Sequence, residues 1–246
     1  MAGRDGLDQA RIDLAAALRW ATQLGLSEGV CNHFSVAAPG LEDRFLINPQ
    51  GFHWSEITPA DILLVDGKGN VVEGRHTVEP TAFFIHGRIH RSKRNPAVVM
   101  HTHMPFATAL TLLEGGRLEP ASQNALKFYG KVAYDEEYNG LVLDTAEGDR
   151  IAARLNGADV LFLAHHGVIV CGDTIAWALD DLYYLERACM VQVLAQGTGK
   201  TIKRLPHSIA SATAKQMAGD RTQSDLHFAA LKRLLDREEP GWSRLA

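Results

Sequence analysis

The sequence predicts a single three-layer α/β domain, with one central, largely antiparallel sheet covered by helices on both faces. Three observations carry this expectation. Segments of helical periodicity alternate with short β-rich hairpins along the chain. At 246 residues the chain sits at the upper end of one domain and is long enough to bury a large core. No internal repeat, low-complexity block or linker divides it.

Leu7, Ile12, Ala15, Leu18, Ala21 and Leu24 recur at helical spacing, so residues 7 to 24 form a helix. "VCNHFSVAAP" and "RFLINPQG" read as an antiparallel pair of strands. Thr58 and Pro59 start a short turn of helix, and "ILLVDGKGNVVE" is a hairpin bent at Asp66-Gly67 and Gly69-Asn70. The stretch from Glu79 is a helix with Pro80 near its start and a basic last turn halted before Pro96, and the strand "AVVMHTH" follows. "PFATALTLLEGG", "SQNALKFYG" and "GDRIAARLNG" are helical; "DVLFLAHHG" is a buried strand that returns as "VIVCG" across a turn at Gly167. The longest helix is capped by Asp173 and stopped by glycine after Gln196. The tail, about residues 203 to 246, holds an amphipathic helix from Asp225 to Arg237, expected to dock on a neighbouring subunit.

Hydrophobic residues at 46% and charged residues at 22% fit a folded globular protein. The net charge of -4, with Lys and Arg dispersed, gives no footprint for nucleic acid. Charges interrupt the first apolar stretch, unlike the core of a signal peptide, and no run approaches the roughly 20 apolar residues that span a bilayer. Cys31, Cys171 and Cys189 are widely spaced without a CxxC pair, so each reads as a small buried apolar residue in a reducing cytoplasm.

Chemistry concentrates where apolar strands end in histidine. Alternate residues of a strand share a face, so His101 and His103 point the same way, roughly 6 to 7 Å apart along the strand. Neutral imidazoles suit zinc, manganese or iron(II), but a site needs a third group. A second apolar strand, "LFLAHHG", also ends in histidine; His166 is preferred over His165 because the strand period sets the two facing opposite ways. Glu79, at the start of a helix, has two readings: a carboxylate favoured by the helix dipole, or a metal ligand and acid/base group. His86 and His90 share a helical face but lack a third ligand, which favours packing. No GxGxxG, Walker loop or GxSxG is present, so nucleotide binding and serine hydrolysis have no support.

Taken together, "HFSV", "LINPQGFHWSEIT", "FFIHGRIHRSKRNPAVVMHTH", "HHG" and "YYLERAC" resemble the class II aldolase/adducin family, in its order and spacing, over about residues 10 to 200. The resemblance implies a homotetramer with one divalent ion per subunit, zinc or manganese with iron(II) as a third option, held by His101, His103 and His166. It also implies that His33, Asn48, Gly51 and His53 lie on the substrate side. Two departures matter. The family's sugar-phosphate aldolases hold phosphate with G-N-x-S and T-P-T-G loops, which read here Asn32-His33-Phe34-Ser35 and Asn48-Pro49-Gln50-Gly51. Their acid/base glutamate falls on Ala82, and Glu79 lies three residues earlier, about 4.5 Å along a helix.

These departures resemble the branch with metal-dependent decarboxylases of hydroxylated, often aromatic, carboxylic acids. The expected activity is therefore carbon–carbon cleavage: decarboxylation of a small hydroxylated acid through a metal-stabilised enolate or phenolate, with Glu79 as ligand or proton relay. Tyr129, Tyr183 and Tyr184 are candidate proton donors. Aldol cleavage of an unphosphorylated hydroxy-carbonyl compound is the alternative. An adducin-like binding protein and an iron(II) oxygenase are more distant readings, and the three retained histidines argue for an enzyme.

Overall fold

The computed structural model describes residues 2–245. An eight-stranded sheet runs through it: β1 (His33–Ala37), β2 (Arg44–Ile47), β3 (Leu63–Asp66), β4 (Val71–Glu73), β5 (Val98–Thr102), β6 (Val132–Asp135), β7 (Val160–Leu163) and β8 (Gly167–Gly172). The spatial order is β4-β3-β2-β1-β5-β8-β7-β6. Every pairing is antiparallel except that of β6 with β7, so the sheet is largely antiparallel as expected. The hairpin between β3 and β4 forms where the Asp-Gly and Gly-Asn pairs place it, with Asp66 accepting from the Lys68 and Asn70 backbone.

Strand alternation divides the core. Phe34, Val36, Met100, Val168 and Val170 face helices α1 (Ala2–Gln23), α3 (Pro105–Thr111), α6 (Ile175–Gln196) and α8 (Thr222–Glu238), and form the larger apolar cluster. Val99, Leu161, Ile169 and Cys171 face α2 (Pro80–His90) and α5 (Thr145–Leu155) on the other side. Short α4 (Gln123–Leu126) packs on α6 and on α7 (His207–Ala218).

Several local expectations need correction. Thr174, not Asp173, caps α6 by accepting from the Trp177 N–H, while Asp173 pairs with Arg94 at 3.1 Å. The β7–β8 turn is Ala164–His166, and Gly167 already belongs to β8. The Ser/Thr/Ala-rich region hides α7, whose small residues Ala210 and Ala214 are its buried contacts and give little apolar periodicity. Cys171 and Cys189 are buried as expected, but Cys31 is exposed in the loop before β1. In the tail, Phe228, Leu231 and Leu235 of α8 are buried in this chain's own core, against α1 and α6.

A buried ionic group fastens that tail. Asp181 takes a two-pronged contact from Arg221, at 2.7 and 2.9 Å, and a third from Lys127 at 2.9 Å. Asp180 accepts from Ser224 and faces His227, both at 2.8 Å, and is also paired with Lys127. Burial alone would raise the Asp180 carboxyl, but the bonds from His227, Lys127 and Ser224 outweigh it and hold the pKa at about 2. A carboxyl lowered in the folded state stabilises the fold above its unfolded value near 4 and loses that contribution as pH falls through about 2. Urea unfolding followed between pH 5 and 2 should lose roughly 1–2 kcal/mol through this group, discounted for screening at the wetted ends of its partners. Asp180→Asn should remove that part of the pH dependence, and an unchanged profile would deny the group its role.

Candidate metal centre

Three strand ends meet at one edge of the sheet. β1 begins where antiparallel β5 ends, placing His33 opposite His101, and β8 begins beside the same end, placing Ile169 opposite His101 and Val168 opposite Thr102. His103 lies just past β5. Its position is held by α6: buried Glu186 accepts from the Phe106 and Ala107 N–H groups, at 2.8 and 2.9 Å, in the first turn of α3.

The β7–β8 turn supplies His166. His165 takes a left-handed conformation, φ 57°, and donates its backbone N–H to the Thr111 carbonyl, so the turn, rather than strand alternation, separates the two neighbouring imidazoles. Gly167 allows the approach: a Cβ there would lie 2.5 Å from the Thr102 carbonyl oxygen and 2.8 Å from the His103 ring. The ligand atoms of His101, His103 and His166 all fall within 4.8 Å of one another, and the ring centroids are 4.7 to 5.0 Å apart.

Hydrogen bonds decide which nitrogens are free. His101 Nδ1 lies 3.0 Å from the Val168 carbonyl, which only accepts, so Nδ1 carries the hydrogen and Nε2 keeps the lone pair. His103 Nδ1 contacts the Glu28 carboxylate at 2.5 Å, leaving a buried Nε2 without a partner. Burial, reinforced by the neighbouring histidines, pushes the His101 pKa well down and that of His166 to about 4. Imidazoles with unshared lone pairs, two of them anchored through the opposite nitrogen, are the donor set of a zinc, manganese or iron(II) site.

Glu79 lies outside this three-histidine group. As the cap of α2 it accepts from the Ala82 N–H at 2.9 Å and from the Thr81 hydroxyl, and its Oε2 lies 3.3 Å from His33 Nε2. Burial raises its pKa, but the bonds from His33, Thr81 and Ala82 win and hold it at about 2. Glu79 thus caps the helix and touches His33 at the edge of the site. The His33 ring stacks on His101, with centroids 6.0 Å apart.

The remaining expected residues divide. Asn48 is buried and its amide is committed: Oδ1 accepts from the Phe34 N–H at 2.9 Å and Nδ2 donates to the Asn32 carbonyl, so it fixes the strand that carries His33. Gly51 turns the chain with φ 79°, and His53 is exposed, its Nδ1 2.7 Å from the Ser55 hydroxyl; both keep to local contacts after β2. Tyr129 bonds His207, Tyr183 packs on His227 and Tyr184 on Lys127, away from the centre; the tyrosine whose ring approaches His166, at 6.4 Å, is Tyr138. Glu28 escaped the sequence reading because a lone carboxylate in "LSEGVCN" has no spacing relation to a histidine 75 residues away.

Fold and site together define a three-layer α/β/α protein with a cation-compatible centre of three histidines. The chain belongs to the class II aldolase/adducin family: the model for the "Class II Aldolase and Adducin N-terminal domain" matches residues 12–193. Decarboxylase NovR of Streptomyces niveus is 34% identical, the match covering 89% of this chain and 83% of the relative. A 4-hydroxy-3-prenylphenylpyruvate oxygenase/4-hydroxy-3-prenylbenzoate synthase of Streptomyces roseochromogenus subsp. oscitans is 33% identical over 89% of this chain and 80% of its own. The solved aldolase II superfamily protein from Pseudomonas syringae superimposes with a TM-score of 0.89 at 30% identity, covering both chains completely.

Removing the Glu28 carboxylate leaves His103 Nδ1–H unanchored, so Glu28→Ala should weaken zinc affinity by about 10–100-fold in a competition titration while the circular dichroism spectrum stays unchanged. Gly167→Ala should impair zinc binding at least as severely by forcing the turn away from β5. Normal affinity in both variants would remove the three histidines as the ion's holders.

Proposed function

We propose that the chain is a divalent-metal-dependent carbon–carbon lyase that decarboxylates a small hydroxylated carboxylic acid, with aromatic acids as the favoured class. The observation that carries this reading is the set of three imidazoles whose ligand atoms gather within 4.8 Å of one another at the sheet edge, beside a histidine paired with an ionised glutamate. A divalent cation bound there supplies a Lewis acid for the negative charge that bond cleavage leaves on substrate oxygen, worth several kcal/mol of barrier.

His101, His103 and His166 hold the ion. Glu79, kept ionised, holds His33 at Nε2, and this nitrogen carries the proton that the new carbanion requires. The bulk and charge capacity of His33, in place of the small amide of sugar-phosphate aldolases, favours a substrate without phosphate. The names of the two Streptomyces relatives, a decarboxylase and a prenylbenzoate synthase, support an aromatic acid. The second of them is also called an oxygenase, which keeps an iron(II) reaction as a further reading. Aldol cleavage of an unphosphorylated hydroxy-carbonyl compound fits the family name and the same residues, and is the principal alternative.

The working unit in this reading is a homotetramer. Exposed Leu112, Leu113, Leu141 and Leu143 lie on the segments that carry Thr111 and Tyr138 to the rim of the centre, and a second copy would cover them. No described helix is long and apolar enough to cross a membrane.

The zinc- or manganese-loaded protein, screened against hydroxylated aromatic and aliphatic acids, should release carbon dioxide from at least one, and His103→Ala should abolish release with the fold retained. An aldehyde and a pyruvate-type product without carbon dioxide would establish the aldol reaction instead, and dioxygen consumption with iron(II) would establish the oxygenase.

A further inference from the structure

A line of polar side chains leaves the metal centre and runs inward between the sheet and α2, through an otherwise apolar layer. His86 and His90 of α2 both contact the hydroxyl of Ser35 on β1: Oγ lies 2.6 Å from His86 Nδ1 and 2.7 Å from His90 Nε2. At the far end His90 Nδ1 lies 3.0 Å from the Pro96 carbonyl. Ser35 and His86 are fully buried, and Ile85, Ile89 and Val99 nearby are apolar.

The direction of every hydrogen bond follows from the Pro96 carbonyl. It can only accept, so His90 carries its hydrogen on Nδ1 and its Nε2 is an acceptor. Burial lowers the His90 pKa to about 4 and that of His86 well below its ordinary value, so both rings are neutral near pH 7. The Ser35 hydroxyl must then donate to His90 and accept from His86 Nδ1–H. That leaves a lone pair on His86 Nε2, and this buried atom has no partner. The His33 ring lies perpendicular to that of His86, with centroids 5.8 Å apart, and His33 Nδ1 is likewise buried and unpaired. Two orphaned nitrogens on adjacent rings are costly apart and satisfied together.

We propose that His86 is a positioning residue: its Nε2, locked as an acceptor by Ser35 and His90, takes the Nδ1–H of His33, directly or through one ordered water. His33 then donates on both sides, Nδ1–H to His86 and Nε2–H to the ionised Glu79, and only the Nε2 proton exchanges with the site. The orienter and the working nitrogen lie on opposite sides of the ring, as a positioned general base requires. This inference rests on the reading of His33 as the proton carrier, and it gives the i, i+4 histidine pair of α2 a task without an ion.

The test reads tautomers rather than turnover. In nitrogen-15-labelled, zinc-loaded protein, long-range proton–nitrogen correlations report which ring nitrogen of each histidine carries hydrogen, with His33→Gln, His86→Gln and His90→Gln each identifying one ring. His86 and His90 should carry hydrogen on Nδ1 alone, and His33 on both ring nitrogens. Ser35→Ala should release His86 to the Nε2–H form and shift the His33 ring signals, with zinc stoichiometry unchanged. Finding His86 in the Nε2–H form in the unaltered protein would overturn the proposal, and this measurement stands even if the variant fails to fold. So would a Ser35→Ala protein in which His86 changes tautomer and His33 does not respond. The expected tautomers in a protein that cleaves no carbon–carbon bond would count against the lyase and leave the hydrogen-bond chain intact.

Discussion

The centre depends on gathering three imidazoles, with a nitrogen of each turned to the others, at the point where three strand ends meet. Burial and the neighbouring rings hold the pKa of His101 and His166 down, which keeps the lone pairs of those two free. Their Nδ1–H or backbone contacts then fix them: the Val168 carbonyl holds His101, Glu28 holds His103 and the left-handed turn at His165 sets His166. Antiparallel pairing makes this economical. The start of β1, the end of β5 and the start of β8 must coincide once the strands are in register, so His33 arrives beside His101 without any loop having to carry it.

The two faces of the sheet serve different ends. The layer under α1, α3, α6 and α8 is continuously apolar and supplies most of the burial. The layer under α2 and α5 is also apolar, but it admits the histidine and serine chain from β1 and α2. Such groups are tolerated inside a protein when each donor meets an acceptor. Directional hydrogen bonding then does what packing cannot: it tells equivalent-looking ring nitrogens apart. Glu79 belongs to the same logic, since one carboxylate both ends the α2 ladder and faces His33.

Much of the fold was legible because it depends on local periodicity and turn chemistry. Pro80 and Pro105 near helix starts, the Asp-Gly bend between β3 and β4 and the alternation of Phe34, Val36 and Met100 all express short-range constraints, and each element formed where they placed it. The exceptions had little local signal: α7 buries alanines rather than a row of large apolar side chains, and Thr174 and Asp173 are both good caps by chemistry, separated only by which one the following backbone approaches.

The site divides along the same line. The sequence by itself singled out the three histidines that the structure gathers, because a His-x-His at a strand end and a second strand ending in His-His-Gly mark two chain segments that carry imidazoles to strand ends. It could not determine the state of those side chains or the groups that hold them. Glu28, Ser35 and the Val168 carbonyl act across distances in sequence that carry no periodicity, and hydrogen-bond direction depends on which acceptor lies at the end of a chain of contacts. Only the tertiary structure set Glu79 beside His33, committed Asn48 to the backbone and brought Tyr138 to the rim, because each placement turns on which groups distant in sequence the fold packs together.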